Sequence, residues 1–231
     1  MGSMRFFHNY REIFSKEGAI ILYALFILAT FTALRLDLLW PAAVRLFGRE
    51  IPDFHLFGWM LNQVIGFLVI PIFMIFLFRE RPRNYGWQTK RVKHFWWWVI
   101  GFCPVIILGM YYVSQMEQFQ NYYPIYRFGR ANTFVFILYE SVVIALLLSW
   151  EFFLRGFMLF GLEKKFGKTT VLIQLIPFVL MHSDKPALEI YSAIAGGFAL
   201  GILGLRTRSF IPGLILHIVL LLSLDMWIVY A

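Results

Sequence analysis

The chain of 231 residues is 60% hydrophobic and only 15% charged, with a mean hydropathy of +0.71; a soluble domain carries about a quarter charged residues. The apolar excess is spread along the chain as long runs, which argues against a soluble enzyme and against a soluble domain with a single anchor or signal peptide. The net charge of +8 does not point to nucleic acid, because most basic residues lie in short segments between apolar runs, as in loops facing anionic lipid.

The opening Met-Gly-Ser reads as a vector-derived leader before Met4. Seven apolar segments follow, at roughly 18–40, 54–78, 94–116, 133–162, 169–182, 187–205 and 210–230. They predict an all-α, polytopic transmembrane helical bundle of about seven to eight helices, a single domain over 1–231. A helix needs about 20 apolar residues to cross ~30 Å of hydrocarbon. The fifth segment is shorter than that and the fourth longer, so the fourth helix is expected to be steeply tilted or to extend into the interface. An eighth, short helix is expected in the aromatic stretch around Tyr122 to Tyr126.

Basic residues set the orientation. Arg5, Arg11 and Lys16 precede the first segment, and Arg79, Arg81, Arg83, Lys90, Arg91 and Lys93 follow the second. Lys164, Lys165 and Lys168 follow the fourth, and Arg206 and Arg208 follow the sixth. All fall on one side if the N-terminus is cytoplasmic and the helices alternate. The opposite loops hold Arg45 and Arg49, offset by Glu50 and Asp53, and then Arg127 and Arg130. Trp96, Trp97 and Trp98 come where an interfacial aromatic belt belongs. Cys103 is the lone cysteine, so neither an internal disulfide nor a cysteine metal cluster forms. His8, His55 and His94 read as interfacial or loop residues. No internal repeat is visible, and an inverted one would favour a transporter.

Against this background the run SWEFFLRGFMLFGLEKKFG, Ser149 to Gly167, carries charge at bilayer depth. Glu151 and Arg155 are four apart and share a helix face; Glu140, eleven residues earlier, falls on the same stripe. A buried structural ion pair is one reading, since pairing reduces the cost of such charges. Two histidines in later segments support a functional one. His182 closes the fifth segment in FVLMH, and His217 lies within the seventh. Glu189 and Asp225 either join these groups or sit in the outer interface. The sixth segment, SAIAGGFALGILG, presents small residues that let neighbouring helices approach. One carboxylate and two histidines suit hydrolysis, with the carboxylate taking a proton from water and N–H groups or the arginine steadying the oxyanion. A zinc site would use the same residues, but the HExxH spacing is absent. No GxSxG or catalytic-cysteine pattern supports covalent catalysis.

These motifs resemble the CAAX protease and bacteriocin-processing (CPBP, or Abi) family of intramembrane proteases, which includes the type II CAAX prenyl endopeptidases. Its motifs run EExxxR, FxxxH and HxxxN or HxxxD. Here WEFFLRG (Trp150 to Gly156) resembles the first, FVLMH (Phe178 to His182) matches the second, and His217 begins the third. The likeness covers about 133–231, the expected catalytic core. It implies Glu151 as general base, Arg155 as its orienting partner, and His182 and His217 as oxyanion and proton-transfer residues, with Glu189, Asp225 and Glu140 as candidates to assist. It implies no cofactor, with a divalent metal not favoured. The implied partners are membrane lipid, a membrane-associated peptide or protein substrate, and a partner membrane protein. The implied location is a bacterial inner membrane. Two positions depart from the pattern: Trp150 replaces the first glutamate, and Leu221 stands where the third motif has Asn or Asp. An inactive CPBP-like scaffold or immunity protein, and a proton-coupled transporter, are the alternative readings.

Overall fold

The computed structural model describes residues 15–30, 54–89, 92, 95–127 and 132–231. Expectations for Arg5, Arg11, His8, Arg45, Arg49, Glu50, Asp53, Lys90, Arg91, Lys93, His94, Arg130, the second half of the first apolar segment and the His55 side chain lie outside this description. Among the described residues every regular element is helical, as the apolar pattern predicts.

Helix α1 (Lys16–Leu28) starts at Ser15, whose hydroxyl accepts from the Gly18 amide at 3.1 Å, with Glu17 in the favourable first turn. Helix α2 (Phe54–Val64) passes through a π-helical stretch, Ile65–Val69, into α3 (Ile70–Leu77). A 3-10 turn (Pro82–Tyr85) leads to α4 (Trp96–Ser114). The short helix α5 is Glu117–Gln120, so the eighth helix forms just before the aromatic stretch expected to hold it. Tyr122 to Tyr126 is irregular, and Pro124 within it supplies no amide hydrogen.

Helix α6 (Thr133–Glu151) is capped by Asn132, which accepts from the Phe134 amide at 2.8 Å. It continues through a second π-helical stretch, Phe152–Met158, into α7 (Leu159–Phe166). The chain then breaks at Gly167 (φ 56°, ψ −139°), a conformation that glycine adopts at little cost. Helix α8 (Thr170–Leu180), α9 (Ala187–Thr207) and α10 (Ile211–Tyr230) complete the fold.

Five described stretches are long and apolar enough to cross a membrane: Gly58–Leu77, Trp96–Ser114, Thr133–Leu180, Ala187–Thr207 and Ile211–Tyr230. Seven were expected. The first segment is described only to residue 30, and the fifth is the end of one long apolar run, with α8 by itself spanning only about 16 Å. The fourth segment is the extended helix its length demanded. Large apolar side chains such as Phe73, Trp97, Trp98, Val105 and Tyr191 face outward, as lipid contact allows.

Helix α10 lies along α4 and α6, α8 packs on α9, and α2 packs on α6. The small-residue face of α9 makes the α8 contact: a Cβ at Gly201 would come within 2.8 Å of Gln174 Nε2, and one at Gly197 would clash with Phe178. Close approach here carries Phe178, and one turn later His182, toward α10.

Candidate active site

Glu151 ends α6 where the π-helical stretch begins, and π-bulges in helices recur at functional sites. Arg155 lies within that stretch, and both side chains are fully buried. Arg155 Nη1 donates to Glu151 Oε1 at 3.1 Å. His217, from the second turn of α10, brings Nδ1 to the same oxygen at 2.9 Å. Because Oε1 already accepts from Arg155, the imidazole Nδ1–H is the donor there, and Nε2 points away from Glu151. Among the described residues Glu151 Oε2 and Arg155 Nε and Nη2 have no hydrogen-bond partner. The Arg155 guanidinium stacks over Phe178 at 3.9 Å.

His182 joins through its ring. Its centroid lies 4.5 Å from that of Phe178, and the centroid of His217 lies 6.1 Å from that of Phe178. His182 Nδ1 donates to the Phe178 carbonyl at 2.7 Å. A carbonyl only accepts, so Nδ1 carries the hydrogen and Nε2 of the neutral ring is an acceptor. Glu151, Arg155, His182 and His217, read from three separate segments, therefore form one cluster around Phe178.

Among the described residues none of the three assisting candidates hydrogen-bonds to the cluster, although Glu189 lines both of the cavities that His217 lines. Glu140 stands about 16 Å up α6 from Glu151 by helical rise. Its carboxyl faces Asp225 on α10, and Tyr139 donates to Asp225 Oδ2 at 3.5 Å. Glu189 at the start of α9 pairs with Lys185 at 2.9 Å and accepts from Tyr123 at 2.9 Å. Burial, followed by the charge and hydrogen bond of Glu189, pushes the Tyr123 phenol well above its ordinary pKa, so it remains a donor.

The departing positions have apolar and aromatic roles. Trp150 donates its indole N–H to Gln63 Oε1 on α2 at 2.8 Å, both groups buried, and its ring lies 5.9 Å from that of His182. Leu221 lines a cavity. The sequence reading passed over Gln63; the polar pair Asn62–Gln63 inside an apolar helix was the available signal. It also passed over Gly213, where a Cβ would lie 3.2 Å from Glu151 Oε2.

Two cavities meet at His217. The larger, about 700 Å³, runs between α2, α6 and α10 past Trp150, Leu147 and Tyr139 to Asp184, Lys185 and Glu189. The other, about 450 Å³, is almost wholly apolar and lies between α4, α9 and α10, with His182 and Phe178 in its wall. Glu151 lines neither; His217 lines both. No three His, Cys, Asp or Glu side chains gather as a metal-ligand set among the described residues.

Residues 130–222 match the family model described as type II CAAX prenyl endopeptidase Rce1-like. No curated protein and no solved structure matches the chain. The matched stretch takes in the whole Glu151, Arg155, His182 and His217 cluster and stops short of Asp225. Over that stretch the chain is similar to the Rce1-like type II CAAX prenyl endopeptidases.

Proposed function

We propose that the protein is an intramembrane endopeptidase that hydrolyses a peptide bond in a membrane-associated substrate, such as a lipidated tail, a leader peptide or a small membrane protein. The family match supports the protease class. The observation that carries the chemistry is the Glu151 Oε1 to His217 Nδ1 bond of 2.9 Å at the end of a cavity. Water activation is then the work of the pair. With Nδ1–H held by the carboxylate, His217 Nε2 takes a proton from a water whose oxygen bonds to the scissile carbonyl carbon. The glutamate acts through the imidazole. Arg155, whose Nε and Nη2 donors have no partner among the described residues, offsets the negative charge that develops on the carbonyl oxygen. When the C–N bond breaks, His217 returns its proton to the departing amine, leaving a new carboxyl and a new amine. His182, as a neutral ring with Nε2 accepting, orients water. No covalent intermediate and no metal enters these steps.

A second reading, a non-catalytic scaffold, is favoured by Trp150 and Leu221 in the positions of two motif polar groups. Cleavage of a panel of lipidated and leader peptides in liposomes separates the two. Hydrolysis of any member by the parent, lost in His217→Ala, supports the protease; no hydrolysis across the panel supports the scaffold.

A further inference from the structure

The cluster is closed toward one side of the protein and open toward the other. Beyond Glu151, Phe152 and Phe210 are fully buried and their rings lie 5.7 Å apart, with Trp87 against both at 5.5 and 5.1 Å. The segment bearing Trp87 is fastened over them: Ser209 Oγ donates to the Gly86 carbonyl at 3.1 Å, and Gln88 Nε2 donates to the Arg208 carbonyl at 2.8 Å. Arg208 in turn holds Glu163 at 2.6 Å. Gly86 is at φ 86°, where a Cβ would meet Phe160 at 2.8 Å, so the fastening is tight. This closed side carries Arg79, Arg81, Arg83, Lys164, Lys165, Lys168 and Arg206.

The larger cavity leads the other way. Leu56 and Trp59 in its wall stand at the start of the helix that ends before Arg79. Tyr139 stands near the start of α6, where Tyr230 and Thr133 meet at 3.5 Å. Asp184, Lys185 and Glu189 stand at the start of α9, whose far end, about 31 Å away by helical rise, carries Arg206. Ser183 and Asp184 are exposed, so polar side chains rim the outer end.

We propose that the substrate reaches His217 from the membrane face opposite the basic loops, through the larger cavity, as an apolar peptide segment whose polar end stays at the rim of Asp184, Lys185 and Glu189. With the basic loops cytoplasmic, that segment is presented at the extracytoplasmic surface. The inference rests on the endopeptidase reading for what the segment is; the access route stands on the aromatic seal and the direction of the cavity. A cavity of this volume takes a ligand of a few residues, and its apolar wall with a few polar groups at one end suits such a segment.

Thiol labelling tests it without turnover. In a Cys103→Ser background, Leu147→Cys and Met181→Cys place a thiol in the cavity wall, with Lys168→Cys and Ser183→Cys marking the two faces. A charged, membrane-impermeant maleimide is added to intact cells and then to permeabilised ones. Complete loss of free thiol at residues 147, 181 and 183 from outside, with 168 reacting only after permeabilisation, is the expected result. Reaction of residues 147 and 181 only after permeabilisation, from neither side, or together with 168 from outside would overturn the proposal. A labelled cavity in a protein that cleaves nothing would count against the endopeptidase reading alone.

Discussion

Glu151 divides its two oxygens unequally: Oε1 serves both Arg155 and His217, while Oε2 faces Gly213 with no hydrogen-bond partner among the described residues. Gly213→Ala would set a methyl group 3.2 Å from Oε2, so the carboxylate must shift by a few tenths of an ångström against the imidazole. A 1 Å misplacement of a reacting group costs about 100-fold in rate, and this smaller shift costs up to about 10-fold. Cleavage should fall by that factor with the melting temperature nearly unchanged, as kinetics and thermal unfolding on one preparation would show. Trp150 is a different case, because its indole satisfies buried Gln63. Trp150→Phe leaves the Gln63 carbonyl oxygen without its donor, a loss of about 1–3 kcal/mol that denaturation in detergent would detect. The charged residues of the site were legible because charge in an apolar run is conspicuous. The Trp150–Gln63 pair was not, since it joins positions 87 apart in sequence and neither residue is unusual by itself.

At the scale of elements, the site depends on how closely α8 approaches α9. Two adjacent glycines of α9 separate packing from helix propensity. A Cβ at Gly196 meets nothing within 4 Å, whereas one at Gly197 collides with Phe178. Gly196→Ala should be neutral or stabilising, because alanine gains up to about 1 kcal/mol over glycine in a helix interior. Gly197→Ala should lose about 1–3 kcal/mol through overpacking. It should also slow cleavage, because Phe178 supports both histidine rings. Thermal melts and cleavage rates of the two variants check the contrast. The π-helical stretches Ile65–Val69 and Phe152–Met158 pack on one another, with Phe67 and Phe153 ring centroids 4.9 Å apart. Nothing in the sequence marked them. An apolar run without polar punctuation shows no phase, so one extra residue in a helical turn leaves no trace in its pattern.

For the molecule as a whole, the all-helical architecture and the convergence of the motif residues followed from the apolar runs and from the cost of burying charge, whereas the number of spans did not, because the fourth and fifth segments form one long apolar run. The position of Glu189 did not, because its partners Lys185 and Tyr123 meet it only when the α8–α9 turn packs on the segment after α5. The seal on the basic side was equally hidden, since Trp87, Phe152 and Phe210 come from three distant segments. A second fastening of that side is testable by pH. Burial raises the Glu80 pKa, but hydrogen bonds from Tyr85 at 2.6 Å and Lys16 at 2.9 Å, with the charges of Lys16 and Lys164, outweigh it and hold the carboxyl below its ordinary 4.5. A carboxyl with a depressed folded-state pKa stabilises the fold above its unfolded-state pKa and loses that contribution as pH falls through the folded value. Below about 4.5 the parent should therefore lose melting temperature more steeply than Glu80→Gln, as melts across acidic buffers would show.

The central claim is that Glu151, acting with His217, activates the water, while Glu140 on the same stripe does not take part. Cleavage rates in liposomes for the parent, Glu151→Gln and Glu140→Gln, each verified as folded and inserted, test it most directly. The account predicts a loss of about 10²- to 10⁴-fold for Glu151→Gln and a rate near the parent's for Glu140→Gln. A folded Glu151→Gln that cleaves at the parental rate, or a folded Glu140→Gln that does not cleave, would contradict it.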